Sequence, residues 1–293
     1  MFSRFVVSCI SLLFDGLAFG MVLFLISIGM SITMGVMRVV NLAHCGFAMI
    51  GGYLAFMLMT QAHLPFAAAV PLAVLGTMLL GALLERTVYA WIYAQSELGQ
   101  VLMTIGLTFV MIATANAMFG STVQNIPVPA ALHGTYQLGA ISLPVYRLFL
   151  IAVSCVCAAG IWYVLERTQV GAKLRAAVDN VRMAACIGMN VKAFFGITFA
   201  IGCGFAGLGG ALGADMFPLE PYYALNYLVL VLIVVSVGGL GSIKGTLIAA
   251  LTLGMIDTLG RYFVPGAGGL VIYLATLVLL LLRPQGLYGK KMS

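Results

Sequence analysis

Residues 167–191 read RTQVGAKLRAAVDNVRMAACIGMNV, a charged island in an oily chain. Upstream, 144–166 is an apolar run, and downstream 193–216 is another. A helix needs about 20 consecutive apolar residues to cross a bilayer, and each run supplies that. The island carries Arg167, Lys173, Arg175, Asp179 and Arg182, with Lys192 just beyond it, and is too polar to be a span. It therefore lies outside the membrane, between two spans, and the rest of the chain is oriented from it.

The chain has 293 residues, 63% hydrophobic and 8% charged. Soluble domains carry roughly 25% charged residues. Such a chain cannot cover a soluble fold, so its solvent is mostly lipid. The apolar runs are continuous rather than alternating, which excludes a β-barrel and predicts an all-α polytopic integral membrane protein. The net charge of +6 is no nucleic-acid signature, because the Lys and Arg sit at the ends of apolar runs. Cys9, Cys45, Cys155, Cys157, Cys186 and Cys203 show no CxxC spacing and read as small packing residues. The first apolar run is too long and too interrupted by Gly for a cleaved signal peptide.

Spans are expected near 11–35, 41–60, 65–88, 98–119, 144–166, 193–216, 225–238, 245–262 and 269–283. The total is about eight to ten transmembrane helices, with 41–60 and 225–238 broken or re-entrant. The island and the C-terminal residues Arg283, Lys290 and Lys291 are the basic segments, so both belong in the cytoplasm. Loop 120–143, which has no charged residue, and 217–224 face outside. Counting back puts the N-terminus outside, leaving Arg4 and Arg261 on the less basic side. One extra or re-entrant helix near the start would repair the first exception.

Within the island, Lys173–Ile187 is rich in helix formers and lacks Pro. On one helix, Arg175, Asp179 and Arg182 form a charged stripe, and Ala177, Val181, Ala184 and Gly188 a stripe almost without bulk. Gly188 then ends the helix and Asn190 follows as a turn former. A helix resting on lipid headgroups wants Trp, Phe or Leu on its apolar face. A face of Ala and Gly suits a protein groove better.

The stretch RAAVDNVRMAACIGMNV resembles the coupling loop of ABC-importer permeases in the form used by the branched-chain amino acid (Liv-type) family. Arg175, Ala176, Asn180, Ala184, Gly188 and Asn190 match, with Met189 where Ile is usual. VVNLAHCGFAMIGGYLA (39–55), VGGLGSIKGTLIAALTLGMID (237–257) and LLLRPQGLYG (280–289) resemble further motifs of that family, in the same order. Two positions depart from it: Cys45-Gly46 replaces a frequent Gly-Glu, and Asp15-Gly16 stands where Asn-Gly is common. The resemblance implies one permease domain, 1–293, containing a cytoplasmic coupling loop, 167–192, in the bacterial inner membrane. It implies a second related permease, two cytoplasmic ATPases that each receive a coupling helix, and a periplasmic solute-binding protein. The solute it implies is a small polar one, branched-chain or other amino acids foremost, since relatives also carry amides, urea and small aromatic or organic acids.

No site for ATP chemistry is visible in the chain itself. SVGGLGSIKG (236–245) has no GxxxxGK[ST], since Gly245 follows Lys244. Gly238, Gly239 and Gly241 read as a helix break with a close turn, either lining a pathway or packing. Asn41 and His44 stand at the mouth of a span, where polar residues are functional candidates or fix helix packing. Asp257 and Arg261 are spaced i, i+4 as an interfacial pair. Gly202, Ala206, Gly210 and Ala214 form a small-residue packing stripe. No catalytic, metal or cofactor motif appears. The rival reading is a secondary transporter or channel driven by an ion gradient, which needs paired buried carboxylates or a proton relay. Asp15 and Asp257 are the carboxylates inside apolar runs.

Overall fold

The structure, a computed structural model, describes residues 2–288 apart from 38, 94, 139–140, 187 and 268. Lys290 and Lys291 lie outside the described residues. Helix α1 spans Phe2–Met37, α2 His44–Thr60 and α3 Phe66–Leu84. A π turn, Glu85–Tyr89, carries α3 into the single turn α4, Ala90–Ile92. There follow α5 (Glu97–Phe119), strands β1 (Thr135–Leu138) and β2 (Ile141–Pro144), and α6 (Val145–Arg167). The charged island forms α7 (Gln169–Asp179) and α8 (Val181–Cys186). The chain closes with α9 (Val191–Leu212), α10 (Tyr223–Gly238), α11 (Ile243–Phe263) and α12 (Leu270–Leu282).

Among the described residues, six helical stretches are long and apolar enough to cross a membrane: within α1, from α3 through α4, and in α5, α6, α9 and α11. Helices α2, α10 and α12 are apolar but shorter. With 17 and 16 residues, α2 and α10 are about 25 Å long, against roughly 30 Å of hydrocarbon. Together these stretches match the nine expected runs. Helix α1 begins earlier than expected, at Phe2, and no extra helix stands beside it near the start among the described residues. The β1–β2 hairpin, pairing Thr135 with Pro144, lies in the uncharged loop. The protein is thus an all-α polytopic membrane protein.

The bundle is built around α1 and α9, and glycines set how close they come. Residues 21–30 of α1 are buried on every side, as expected for a helix that is apolar all round. Gly29 of α1 meets Gly202 of α9 backbone to backbone. Gly51 of α2 meets Gly207, and Gly210 meets Ala48. A Cβ on Gly51 or Gly210 would collide with main-chain atoms of the facing helix. In lipid there is little hydrophobic drive between helices, so this close approach is what gives packing energy. The expected stripe therefore holds at Gly202, Ala206 and Gly210. Ala214 lies past the end of α9 and is not on it.

Residue pairings fix the directions. Gly20 of α1 faces Ala250 of α11, and Gly35 faces Gly241, so the two helices are antiparallel. Asp15 of α1 is ion-paired with Arg147 of α6, near the start of both runs, so these helices are parallel. The end of α1, the α6–α9 connection with α7 and α8, and the α10–α11 turn consequently share one face. The C-terminal tail joins them: Leu287 N–H donates to Val237 O (2.7 Å) and Tyr288 N–H to Gly238 O (3.3 Å). That face carries Arg86, Arg167, Lys173, Arg175, Arg182, Lys192, Lys244 and Arg283. On the opposite side Arg147 pairs with Asp15, and Arg261 with buried Asp257 at 2.7 Å. The charge exception at Arg261 is therefore half of an ion pair.

Candidate functional site

The island is not one helix. Asn180 is extended (φ −151°, ψ 94°) and separates α7 from α8. Its side-chain oxygen accepts the N–H of Met183 at 2.9 Å, capping α8. Asn competes for backbone bonds in this way, which favours caps over helix interiors. Asp179 and Arg182 thus fall on different helices, and the expected continuous charged stripe does not form. Arg175 instead turns back and donates to the carbonyl of Leu165, near the C-terminal end of α6. A cation there satisfies a free carbonyl and complements the helix dipole. Gly171 lies against the same Leu165 backbone, so α7 is clamped to α6 at two points.

The small-residue stripe is also redirected. Ala177 and Ala184 are buried and cluster with Val191, against Met189 and Phe195. The stripe packs α7 and α8 onto the base of α9 rather than presenting a face to a partner. Val181 is exposed, and Gly188 is exposed in a left-handed turn (φ 83°), as its role in ending a helix requires. Asn190 caps α9 by accepting the N–H of Ala193 at 3.1 Å. Of the expected coupling residues only Ala177 and Ala184 are buried; Arg175, Ala176, Asp179, Asn180, Arg182, Gly188 and Asn190 are exposed, and beside them stand Val181 and Met183, the last 63% exposed. Sequence reading did not single out Met183. Its signal was a bulky apolar residue beside Arg182 in a segment otherwise short of such residues. Asn180→Ala is expected to remove the α8 cap at about 1 kcal/mol. Faster amide exchange confined to 181–186 in hydrogen-exchange mass spectrometry checks this.

The second candidate lies deep in the bundle. His44 begins α2, and its Nε2–H donates to the carbonyl of Ile26 at 3.1 Å. Ile26 is eleven residues before the end of α1, about 16 Å along the axis. After α1 the chain therefore folds back into the bundle before α2 starts. His44 is at the entry of α2, as expected, but that end of the helix lies level with Ile26 inside the bundle, and His44 is fully buried. Asn41 Oδ1 accepts from Ala43 N–H (3.1 Å) and from Tyr89 OH (2.7 Å). Asn41 Nδ2 and His44 Nδ1 are buried with no hydrogen-bond partner. Buried polar atoms are nearly always paired, so two such atoms in one turn make Asn41 and His44 a candidate polar site.

The third is the turn between α10 and α11. Gly239 (φ 94°) and Gly241 (φ 78°) take conformations that only Gly adopts without strain. Gly238 packs on Gly245, and Gly241 on Gly35 at the end of α1. This turn also receives the C-terminal tail through Val237 and Gly238. The geometry favours packing: the glycines knit three segments at the basic face.

A family model described as branched-chain amino acid transport system, permease component, matches residues 12–281. The high-affinity branched-chain amino acid transport system permease protein LivH of Escherichia coli K12 is 24% identical, covering 95% of this chain and 94% of its own. BraD of Pseudomonas aeruginosa, of the same description, is 25% identical over 95% of each chain. The probable LivH of Methanocaldococcus jannaschii is 25% identical over 91% of this chain and 88% of its own. Among solved structures, PsaBC from Streptococcus pneumoniae in complex with Fab has a similar fold, with TM-score 0.51 at 15% identity, covering 96% and 95% of the two chains. With the match spanning every helix from α1 to α12, the chain belongs to the family of branched-chain amino acid transport permease components.

Proposed function

We propose that this chain is one permease subunit of an ATP-binding-cassette importer that moves a small amino acid, branched-chain ones foremost, across the bacterial inner membrane by alternating access. The observation that carries this reading is the α7–α8 unit: a polar two-helix piece, clamped to α6 by Arg175 and Gly171 and to α9 by Asn190, Ala184 and Val191, with Val181, Arg182 and Met183 outward. A push on α8 passes directly into α9, which packs on α1, α2 and α3. The basic face, α7 and α8 included, is cytoplasmic by the excess of Lys and Arg there, as is the C-terminus.

Two cytoplasmic ATPases would each receive one such unit, from this chain and from a second related permease. ATP binding would draw the two units together and open the pathway to a periplasmic solute-binding protein. Hydrolysis would reset it. Asn41 and His44 are the pathway candidates: their unpartnered Nδ2 and Nδ1 are available to a polar solute once the bundle loosens around α2. Gly238, Gly239 and Gly241 would act as the pivot of the α10–α11 turn rather than as lining. The loop before α6, tied down where Gln124 N–H donates to Leu219 O at 2.8 Å, would face the binding protein. Deletion of 124–137 is expected to lower uptake while assembly persists.

Asp15 and Asp257, the carboxylates of α1 and α11, are each paired with an arginine and so give an ion-driven carrier no support. Mild-detergent purification from the native membrane tests the proposal. Co-purification of two ATPase chains and a second permease supports it. Isolation of this chain without an ATPase, under conditions where transport survives, contradicts it.

A further inference from the structure

A cleft of about 310 Å³ lies between α2, α3 and α5 and belongs to none of the sites above. Its wall is hydrocarbon, with Leu54, Leu80, Leu84, Met111 and Ala115 among the lining residues. The hydroxyl of Thr114 is spent on the carbonyl of Val110 at 2.8 Å. The hydroxyl of Tyr53, buried beside Phe119 with ring centroids 4.4 Å apart, has no partner. The cleft runs from Ile50 of α2 and Leu107 of α5 toward Met57 and Phe119, away from the basic face. Around it α3 and α5 present Leu79, Leu83, Val110 and Met118, all exposed, as spans present side chains to lipid.

Three occupants are excluded by size or charge. A helix is 10–12 Å across, so the length of one that would line residues 107–119 occupies on the order of 1,400 Å³, more than the cleft holds. A zwitterionic amino acid would bring two charges against a wall with no counter-charge, and burial of unpaired ions is strongly unfavourable. Water does not fill a cavity without several polar partners. The volume is nevertheless within the range that holds small ligands. We propose that this cleft binds one acyl chain of a bilayer phospholipid, taken laterally between α3 and α5. The chain fills the gap behind α5, which otherwise touches the bundle mainly along Thr104, Thr108, Met111, Ile112 and Ala115. The site is independent of the importer reading, because it needs neither ATPase nor solute.

The test uses the full chain in phosphatidylethanolamine–phosphatidylglycerol vesicles containing a trace of phosphatidylethanolamine with a diazirine in mid-chain. After irradiation, adducts are mapped by mass spectrometry. Tyr53 and Met111 are 3% and 5% exposed and so are shielded from lipid that merely surrounds the protein. Adducts on both are expected. They should fall severalfold in Ala115→Phe, which fills the cleft, and persist in excess leucine. If Ala115→Phe does not insert, Val110→Trp at the exposed rim gives the same readout. Adducts confined to Leu79, Leu83, Leu102 and Phe109, which are exposed and do not line the cleft, overturn the proposal, as does labelling of Tyr53 and Met111 that survives the filling variant. Loss of that labelling with leucine would assign the cleft to the solute instead, and also overturns it.

Discussion

Gly210→Ala is expected to be among the most destabilising single substitutions in the chain. The added methyl group meets the carbonyl of Ala48, a main-chain atom that cannot rotate away. Relief requires α2 and α9 to separate along their crossing, which also includes Gly51 and Gly207. Overpacking of a core typically costs 1–3 kcal/mol, and a backbone-to-backbone clash belongs at or above the upper end, about 3 kcal/mol. Helix α9 packs on α1, α2 and α3 and adjoins α8, so under the proposed mechanism the damage would reach both fold and coupling. The check is the monodisperse yield and the thermal midpoint in detergent. Gly106→Ala is the control, because nothing lies within 4 Å of a Cβ there. Equal loss in both variants, or in neither, would mean the crossing is looser than described.

Met183→Asp is the second large effect. Met183 is the most exposed bulky apolar residue of α8 and stands beside Arg182 and Val181. Apolar anchors next to Arg are the typical energetic centres of an interface, and losing one costs about 2 kcal/mol or more, roughly thirtyfold in affinity. The variant should insert and fold normally, since the side chain is 63% exposed. Recovery of ATPase subunits with the chain should collapse. Arg182→Ala should weaken recovery less. Retention of ATPases by Met183→Asp at wild-type level would move the docking face elsewhere on α7–α8.

The nine apolar runs were legible because lipid imposes length and composition on every span, and tertiary context alters neither. The charged island, the small-residue stripe of α9 and the Gly turn at 239–241 were legible for similar local reasons. The internal form of the island was not. A helix through Lys173–Ile187 satisfies propensity, and only the capping bond from Met183 N–H to Asn180 reveals the break. Periodicity located Ala177 and Ala184 on one side but could not say that Val191 and Phe195 cover that side. The depth of Asn41 and His44 was likewise invisible. It depends on α1 continuing to Met37 and on which carbonyl, Ile26, receives the imidazole N–H. Cross-bundle partners such as Asp15–Arg147 carry no signal in a single sequence, because the residues lie far apart along the chain.

The central claim is that ATP hydrolysed on another chain drives solute through this one by way of α7 and α8. Reconstitution of the purified assembly into liposomes, with ATP inside, binding protein outside and radiolabelled leucine, tests it most directly. Accumulation that requires ATP and vanishes with Met183→Asp is the predicted result. Uptake by this chain alone, without ATP, or uptake indifferent to Met183→Asp would contradict the account.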